Sequence, residues 1–192
     1  DFLTEFERRR GYDLRGHLPA LFAENRDENQ VRILSDFRET VSDLLLDGFT
    51  RTWSGWAHER TLQIRNQSHG SPANLLDLYA ASDIPETEGI LPPNMRFASS
   101  AAHVAGRRLV GAEAVTFLNE NFLSTPAQIR ENLRRYWLNG VNHVVYHGTA
   151  FTPQDEAWPG WFFYVAVHLN PRNPLWAHTS AVHHYATRVQ SF

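Results

Sequence analysis

The stretch Leu109-Val110-Gly111-Ala112-Glu113-Ala114-Val115, the helix start Thr125-Pro126-Ala127-Gln128 and the run Val141-Asn142-His143-Val144-Val145-Tyr146 together decide the fold class. The first run is short and apolar, broken by one carboxylate, and its first half reads as a buried strand. Thr125 is a good N-cap, Pro126 suits the first helical position, and Gln128 completes a capping box. Ile129, Leu133 and Trp137 then share one helical face, and Gly140 stops the helix. The last run is a second strand, ending at His147-Gly148. Strand, loop, helix, strand is the repeating unit of a parallel sheet.

The same alternation extends outward. Residues 1–10 read as a helix with Phe2, Leu3 and Phe6 on one face, a basic last turn at Arg8-Arg9-Arg10, and Gly11 as its stop. A short helix starts at Asp13 and runs through Leu18, Leu21 and Phe22. The longest helix spans Glu28 to His58, with apolar residues from Leu34 to Trp56 at three- and four-residue steps and weak points at Gly48 and Gly55. Thr61 to Arg65 alternates as a strand does, and Asn74 to Tyr79 is a short helix. Ser82 to Gly89 reads as loop with an extended start, and Ala98 to Arg107 as a small-residue helix. Thr149 to Trp176 is a loop rich in Trp and Pro, and its run Trp161 to Leu169 is apolar enough for a strand. A terminal helix begins near Ala177.

This is an α/β chain with mainly parallel strands and helices outside them, as in a partial (β/α)8 barrel of the TIM type. A complete barrel takes about 250 residues. Residues 1–192 are therefore expected to be the central part of a barrel domain, truncated at both ends. Asp1-Phe2-Leu3 shows no secretory leader, and Tyr185 to Phe192 reads as an unfinished helix.

Composition narrows the function. With 42% hydrophobic and 20% charged residues the chain is not globally disordered. Lys+Arg 18 against Asp+Glu 21 gives a net charge of -3, which argues against a nucleic-acid or anionic-membrane partner. No apolar run approaches the roughly 20 residues of a spanning helix. The absence of cysteine removes thiolate metal sites and cysteine nucleophiles. The aromatic excess, with 6 Trp, 6 Tyr and 12 Phe, suits core packing and also sugar stacking.

In α/β barrels chemistry collects where strands end and loops begin. Arg65-Asn66-Gln67-Ser68-His69-Gly70 offers a cation and hydrogen-bonding side chains to a polyhydroxylated ligand, or else is a polar capping loop. Asp83-Ile84-Pro85-Glu86-Thr87-Glu88 packs three carboxylates densely enough to hold Ca2+, or else is a solvated acidic loop. Glu113 sits among small apolar residues, where burial suits a general acid or base; the alternative is an ion pair with Arg107 or Arg108. Glu120 is a weaker competitor for that role. His147 can bind ligand, bind metal or bond a backbone carbonyl. Adjacent His183-His184 makes a poor chelate, and His103 has no partner at helical metal spacing. Trp158-Pro159-Gly160-Trp161 and His168 to Pro174 add aromatic faces and donors.

Taken in succession, these segments resemble the catalytic barrel of bacterial α-L-rhamnosidases of glycoside hydrolase family 106. The carrying stretches are Phe6-Glu7-Arg8-Arg9-Arg10-Gly11-Tyr12-Asp13-Leu14 with Leu18-Pro19, His69-Gly70-Ser71-Pro72, Asp83 to Glu88, Ala98-Ser99-Ser100-Ala101-Ala102-His103, Ala112-Glu113-Ala114, Gly140-Val141-Asn142, Tyr146-His147-Gly148-Thr149, and Pro159-Gly160-Trp161 through Pro174. The resemblance implies inverting, calcium-assisted hydrolysis of terminal α-L-rhamnosyl residues from plant polysaccharides or glycosides. Inversion needs one carboxylic acid and one carboxylate base, about 6.5–9.5 Å apart. Glu113 is the implied base. Glu88, with Glu86, would hold Ca2+, and Arg65, Asp83, His103, His147 and Trp161 would contact the sugar. The general acid is expected upstream of Asp1, in the remainder of the parent chain, so the fragment alone should be inactive. Substrates of this kind imply an extracellular or periplasmic protein. The rival readings are a non-catalytic carbohydrate-binding protein and, more distantly, a metal-dependent barrel hydrolase of another class.

Overall fold

The structure is a computed structural model, and it describes residues 1–89, 91–118 and 122–191. Its helices are α1 (Phe2–Arg10), α2 (Pro19–Phe22), α3 (Glu28–Leu44), α4 (Thr52–His58), α5 (Leu75–Ala80), α6 (Pro92–Val104), α7 (Pro126–Leu138) and α8 (Thr179–Gln190). The strands are β1 (Arg65–Gln67), β2 (Ile84–Glu88), β3 (Gly111–Ala114) and β4 (His143–Tyr146).

All three strand pairs are parallel, and the sheet order is β1-β2-β3-β4. Sequential order in space means that the winding never reverses. Helices α5, α6 and α7 therefore cover the same face of the sheet, as they do in an arc of a (β/α) barrel. Tyr79, Met95, Ala98, Ala101, Ala102 and Tyr136 from those helices form one core with Ala112 and Ala114 of β3. Small residues on α6 and β3 let helix and sheet approach closely. Thr87, on the same face of β2, is buried and donates its hydroxyl to the Asn94 carbonyl of α6 at 3.2 Å.

The parallel α/β architecture, with helices packed on the sheet, is as expected. The helix at Thr125 is capped as read, with Gln128 N–H donating to Thr125 Oγ1 and Thr125 N–H to Gln128 Oε1. The long helical stretch is also present, but Leu45–Arg51 within it is wound as a π-helix around Gly48. Three boundaries differ. β1 begins at Arg65 rather than Thr61, because Thr61 turns the chain after α4 with a left-handed φ of 57°. α6 starts at Pro92, not Ala98, since Pro92 fits a first helical turn. Trp161 to Leu169 forms no strand; it makes one antiparallel bridge, Leu118 to Val165, and a backbone bond from the Val167 N–H to the His147 carbonyl at 3.4 Å.

The largest correction is β2, which the sequence presents as loop. Pro85 argues against a strand because it lacks an N–H. Here Ile84 donates its N–H toward β1, to the Ile64 carbonyl at 3.0 Å. Position 85 therefore faces β3, and the ladder with β3 opens only at Glu86 opposite Gly111. The missing donor costs no ladder bond.

Outside the sheet, Phe6 of α1 and Ile33 of α3 form one core cluster with Leu14 and with Ala20 of α2. Arg9 and Arg10 of α1 reach Asp43 and Asp47 across that contact. A second outer cluster, Val115, Ile129, Leu133 and Val167, is joined by Val182 and Ala186 of α8 and seats that helix. No helix is long and apolar enough to cross a membrane among the described residues.

Candidate active site

Side chains alternate across a strand, so the face not covered by helices carries the other half of each strand. Parallel register aligns these residues in rows. Gln67, Glu86, Gly111 and His143 make one row; Glu88, Glu113 and Val145 make the next. Arg65 lies one step below the first row, and His147 follows β4 above the second. The uncovered face is thus polar and acidic, whereas the helix-covered face is Thr87, Ala112, Ala114 and Val144.

Glu86 is the most enclosed of these groups, with 6% of its surface exposed. Gly111 has no side chain, and a Cβ there would stand 3.1 Å from Glu86 Oε2, so the carboxylate leans over this glycine. Arg65 Nε lies 2.6 Å from Oε2, off the line of a hydrogen bond, so this buried oxygen has an ion-pair partner but no hydrogen-bond donor. Burial pushes the Glu86 carboxyl above its ordinary value; Arg65 pulls it back, and the Glu113 charge raises it further.

Glu88 accepts hydrogen bonds at 2.8 Å from Gln67 Nε2, and its Oε2 lies 3.2 Å from His69 Nε2. Glu113 is more open than Glu86 and about as open as Glu88, with its side chain 27% exposed against 31% for Glu88, and His147 Nδ1 stands 3.7 Å from its Oε1. The His147 ring meets Phe163 edge-on at 5.4 Å, so the loop after β4 covers one flank of the site.

The structure brings Arg65, Glu86, Glu88, Glu113 and His147 to one face and leaves three candidates elsewhere. Asp83 precedes β2 and lies at the opposite end of the sheet, about 17 Å along the strand from Glu88 at 3.3 Å per residue. It is buried, accepting from His58 Nε2 at 2.9 Å and from the Ile64 N–H at 2.9 Å, with Arg107 Nη1 at 3.6 Å. It ties α4 to the sheet. His103 sits exposed on the last turn of α6, beside Arg107, Arg108 and Asn142, at the end where strands begin. Trp161 is on the loop after β4, 54% exposed, with its indole N–H donated to Glu156 at 3.0 Å. Glu120 lies outside the described residues. The ion pair considered between Glu113 and Arg107 or Arg108 does not form: Arg107 goes to Asp83 and to the Ala80 carbonyl.

Sequence reasoning missed Tyr136 and Asn132, which reach the end of β3 from α7. Tyr136 donates its hydroxyl to the Glu113 carbonyl at 3.0 Å, and the Val115 N–H donates to Asn132 Oδ1 at 3.0 Å. Their four-residue spacing on one helix face was the available signal.

A calcium site does not follow from these side chains. Ca2+ takes 6–8 oxygens. Among the described residues no group of three or more His, Asp or Glu is gathered as a metal cage. Arg65 already holds Glu86, and Gln67 and His69 hold Glu88.

A partly open carboxylate at a strand end, facing two others across a parallel arc, is the equipment of acid–base hydrolysis. The sequence profile of the alpha-L-rhamnosidases, Glyco_hydro_106, matches residues 1–191. The chain belongs to glycoside hydrolase family 106. Within and around this rhamnosidase family, the chain is similar to the solved rhamnosidase of Novosphingobium sp. PP1Y, with a TM-score of 0.71 and 25% identity over 98% of this chain and 20% of that one. It is also 29% identical, over 98% of its length and 17% of the other protein, to a Formosa agariphila protein provisionally named beta-glucuronidase. The family-106 chain therefore spans about a fifth of the length of these relatives.

Proposed function

We propose that the parent protein of this chain hydrolyses terminal α-L-rhamnosyl residues with inversion, and that Glu113 is the general base. The observation that carries this reading is the shared face: Glu113, partly open to solvent, stands level with Glu88 and next to the buried Glu86. Glu113 takes a proton from water as that water attacks the anomeric carbon. The charges of Glu86 and Glu88 favour the positive, oxocarbenium-like character that develops at the sugar. The donor-free Oε2 of Glu86 accepts a sugar hydroxyl, while Arg65 and His147 supply donors on either side. The exposed indole of Trp161 is a stacking face on the loop after β4. The acid that protonates the leaving oxygen comes from outside residues 1–192. A plant glycoside or polysaccharide substrate, met outside the cell, goes with a periplasmic or extracellular enzyme.

The beta-glucuronidase name of one relative favours a second reading, a uronide substrate. The face argues against it. A uronate would meet three carboxylates and one guanidinium, a net repulsive environment. The test is a panel of aryl glycosides with the full-length protein, following the first-formed sugar anomer by proton NMR. Turnover of the α-L-rhamnoside with release of the β-anomer is expected. Turnover of the β-D-glucuronide alone, or release of the α-anomer first, overturns the reading.

A further inference from the structure

The exit of β3 is pinned from behind, and nothing in the hydrolytic reading uses the pins. Val115, the residue after β3, is fully buried and has a left-handed φ of 56°. A β-branched residue rarely adopts that conformation. It marks a place where the surroundings dictate the backbone. Two side chains of α7 do so. Asn132 Oδ1 takes the Val115 N–H at 3.0 Å, and the Tyr136 hydroxyl, four residues on, binds the Glu113 carbonyl at 3.0 Å. Both side chains are buried, Tyr136 at 1% and Asn132 at 8% exposure.

Tyr136 does more than hold one strand. Tyr136 also lines one cavity with Glu88 and Gly89 at the exit of β2, and the charges of Glu88 and Glu113 both act on its phenol. One side chain is thus bonded to the exit of β3 and stands beside the exit of β2, next to the register pair Glu88 and Glu113. Burial pushes the phenol up to about 12, so it remains an O–H donor across the working range of a glycosidase.

We propose that Asn132 and Tyr136 are positioning residues that set the direction of Glu113 and its distance from Glu88. The physical need is clear. A glycosidase that inverts must leave room for one water between base and sugar, and a misplacement of about 1 Å costs up to about 100-fold in rate. A Glu at the last turn of a short strand has no such precision by itself, because strand ends fray. Fixing its carbonyl and the amide two residues on removes that freedom while leaving its carboxylate free. The inference rests on the reading of Glu113 as the base.

The test uses the full-length protein and an aryl α-L-rhamnoside. Tyr136→Phe removes only the hydroxyl and keeps the ring in its core. We expect kcat to fall about 10- to 100-fold with KM little changed, and the unfolding temperature to stay near wild type. Asn132→Asp keeps the acceptor for the Val115 N–H and should retain more kcat than Asn132→Leu. The pH–rate profile of Tyr136→Phe should shift on the limb reporting the base. Glu113→Gln is measured in parallel. If Glu113→Gln is inactive and Tyr136→Phe keeps wild-type kcat and pH profile, the positioning role is wrong and the hydrolytic reading survives. If Glu113→Gln turns over normally, the base assignment falls and the positioning role with it.

Discussion

Replacing Arg65 by Met should make the stability of the protein more sensitive to pH, because Arg65 is the cation that keeps a buried carboxylate tolerable. Glu86 is 8% exposed at its side chain, and Arg65 Nε lies 2.6 Å from it. Breaking a buried pair by removing one partner costs about 3–5 kcal/mol. Arg65 is 40% exposed, so solvent already screens part of the attraction, and about 2 kcal/mol is the reasonable magnitude. The sign follows from the causes acting on Glu86. Burial and the neighbouring Glu113 raise its pKa above 4.5, and Arg65 alone lowers it. Stability from protonated Glu86 is fully present below 4.5 and is lost as pH rises through the raised folded value. Without Arg65 that window extends upward. The variant should match wild type near pH 4.5 and fall progressively behind it toward about pH 8, the difference reaching about 2 kcal/mol. Thermal unfolding of the full-length protein at stepped pH reads this directly. A difference that is the same at every pH, or greatest in acid, refutes the reasoning.

Gly111→Ala should displace Glu86, because the new Cβ would stand 3.1 Å from Oε2 and 3.3 Å from the Glu86 Cβ; overpacking of this kind costs about 1–3 kcal/mol, checked by thermal unfolding, and kcat should fall with it. His168 should make the loop after β4 acid-sensitive. It is buried against Phe122 and Phe162, bonds the Phe163 carbonyl at 3.0 Å, and burial holds its pKa below 6.5. Loop stability is therefore present above pH 6.5 and lost as pH falls below it, when the unfolded loop gains a proton that the folded one resists. Limited proteolysis between residues 149 and 176 should accelerate from pH 7 to pH 5 in wild type and lose that dependence in His168→Phe.

The parallel sheet was legible because β3, α7 and β4 each carry an unambiguous signal: a short apolar run, a complete capping box, a second apolar run. β2 was not. Its covered face is Pro85 and Thr87, satisfied by the late start of the β3 ladder and by the Asn94 carbonyl, and its open face is Glu86 and Glu88. Neither face is apolar, so alternation of hydrophobicity could not reveal it; alternation of carboxylates would have. The same blindness misplaced Asp83. Once β2 is a strand, its polarity along the chain sends Glu88 to the site and Asp83 to the far end. His103 went astray for a related reason, since α6 runs back toward the start of β3 and carries its last turn away from the strand exits. Tyr136 and Asn132 escaped notice because their function is directed at backbone, which leaves no residue pattern on the partner.

The most direct test is the turnover of an aryl α-L-rhamnoside by the full-length protein with Glu113→Gln. The substitution keeps the size of the side chain and its Tyr136-bound carbonyl while removing the proton acceptor. The account predicts a fall in kcat of about 10²- to 10⁴-fold with KM held within a few fold. A kcat within a few fold of wild type contradicts it.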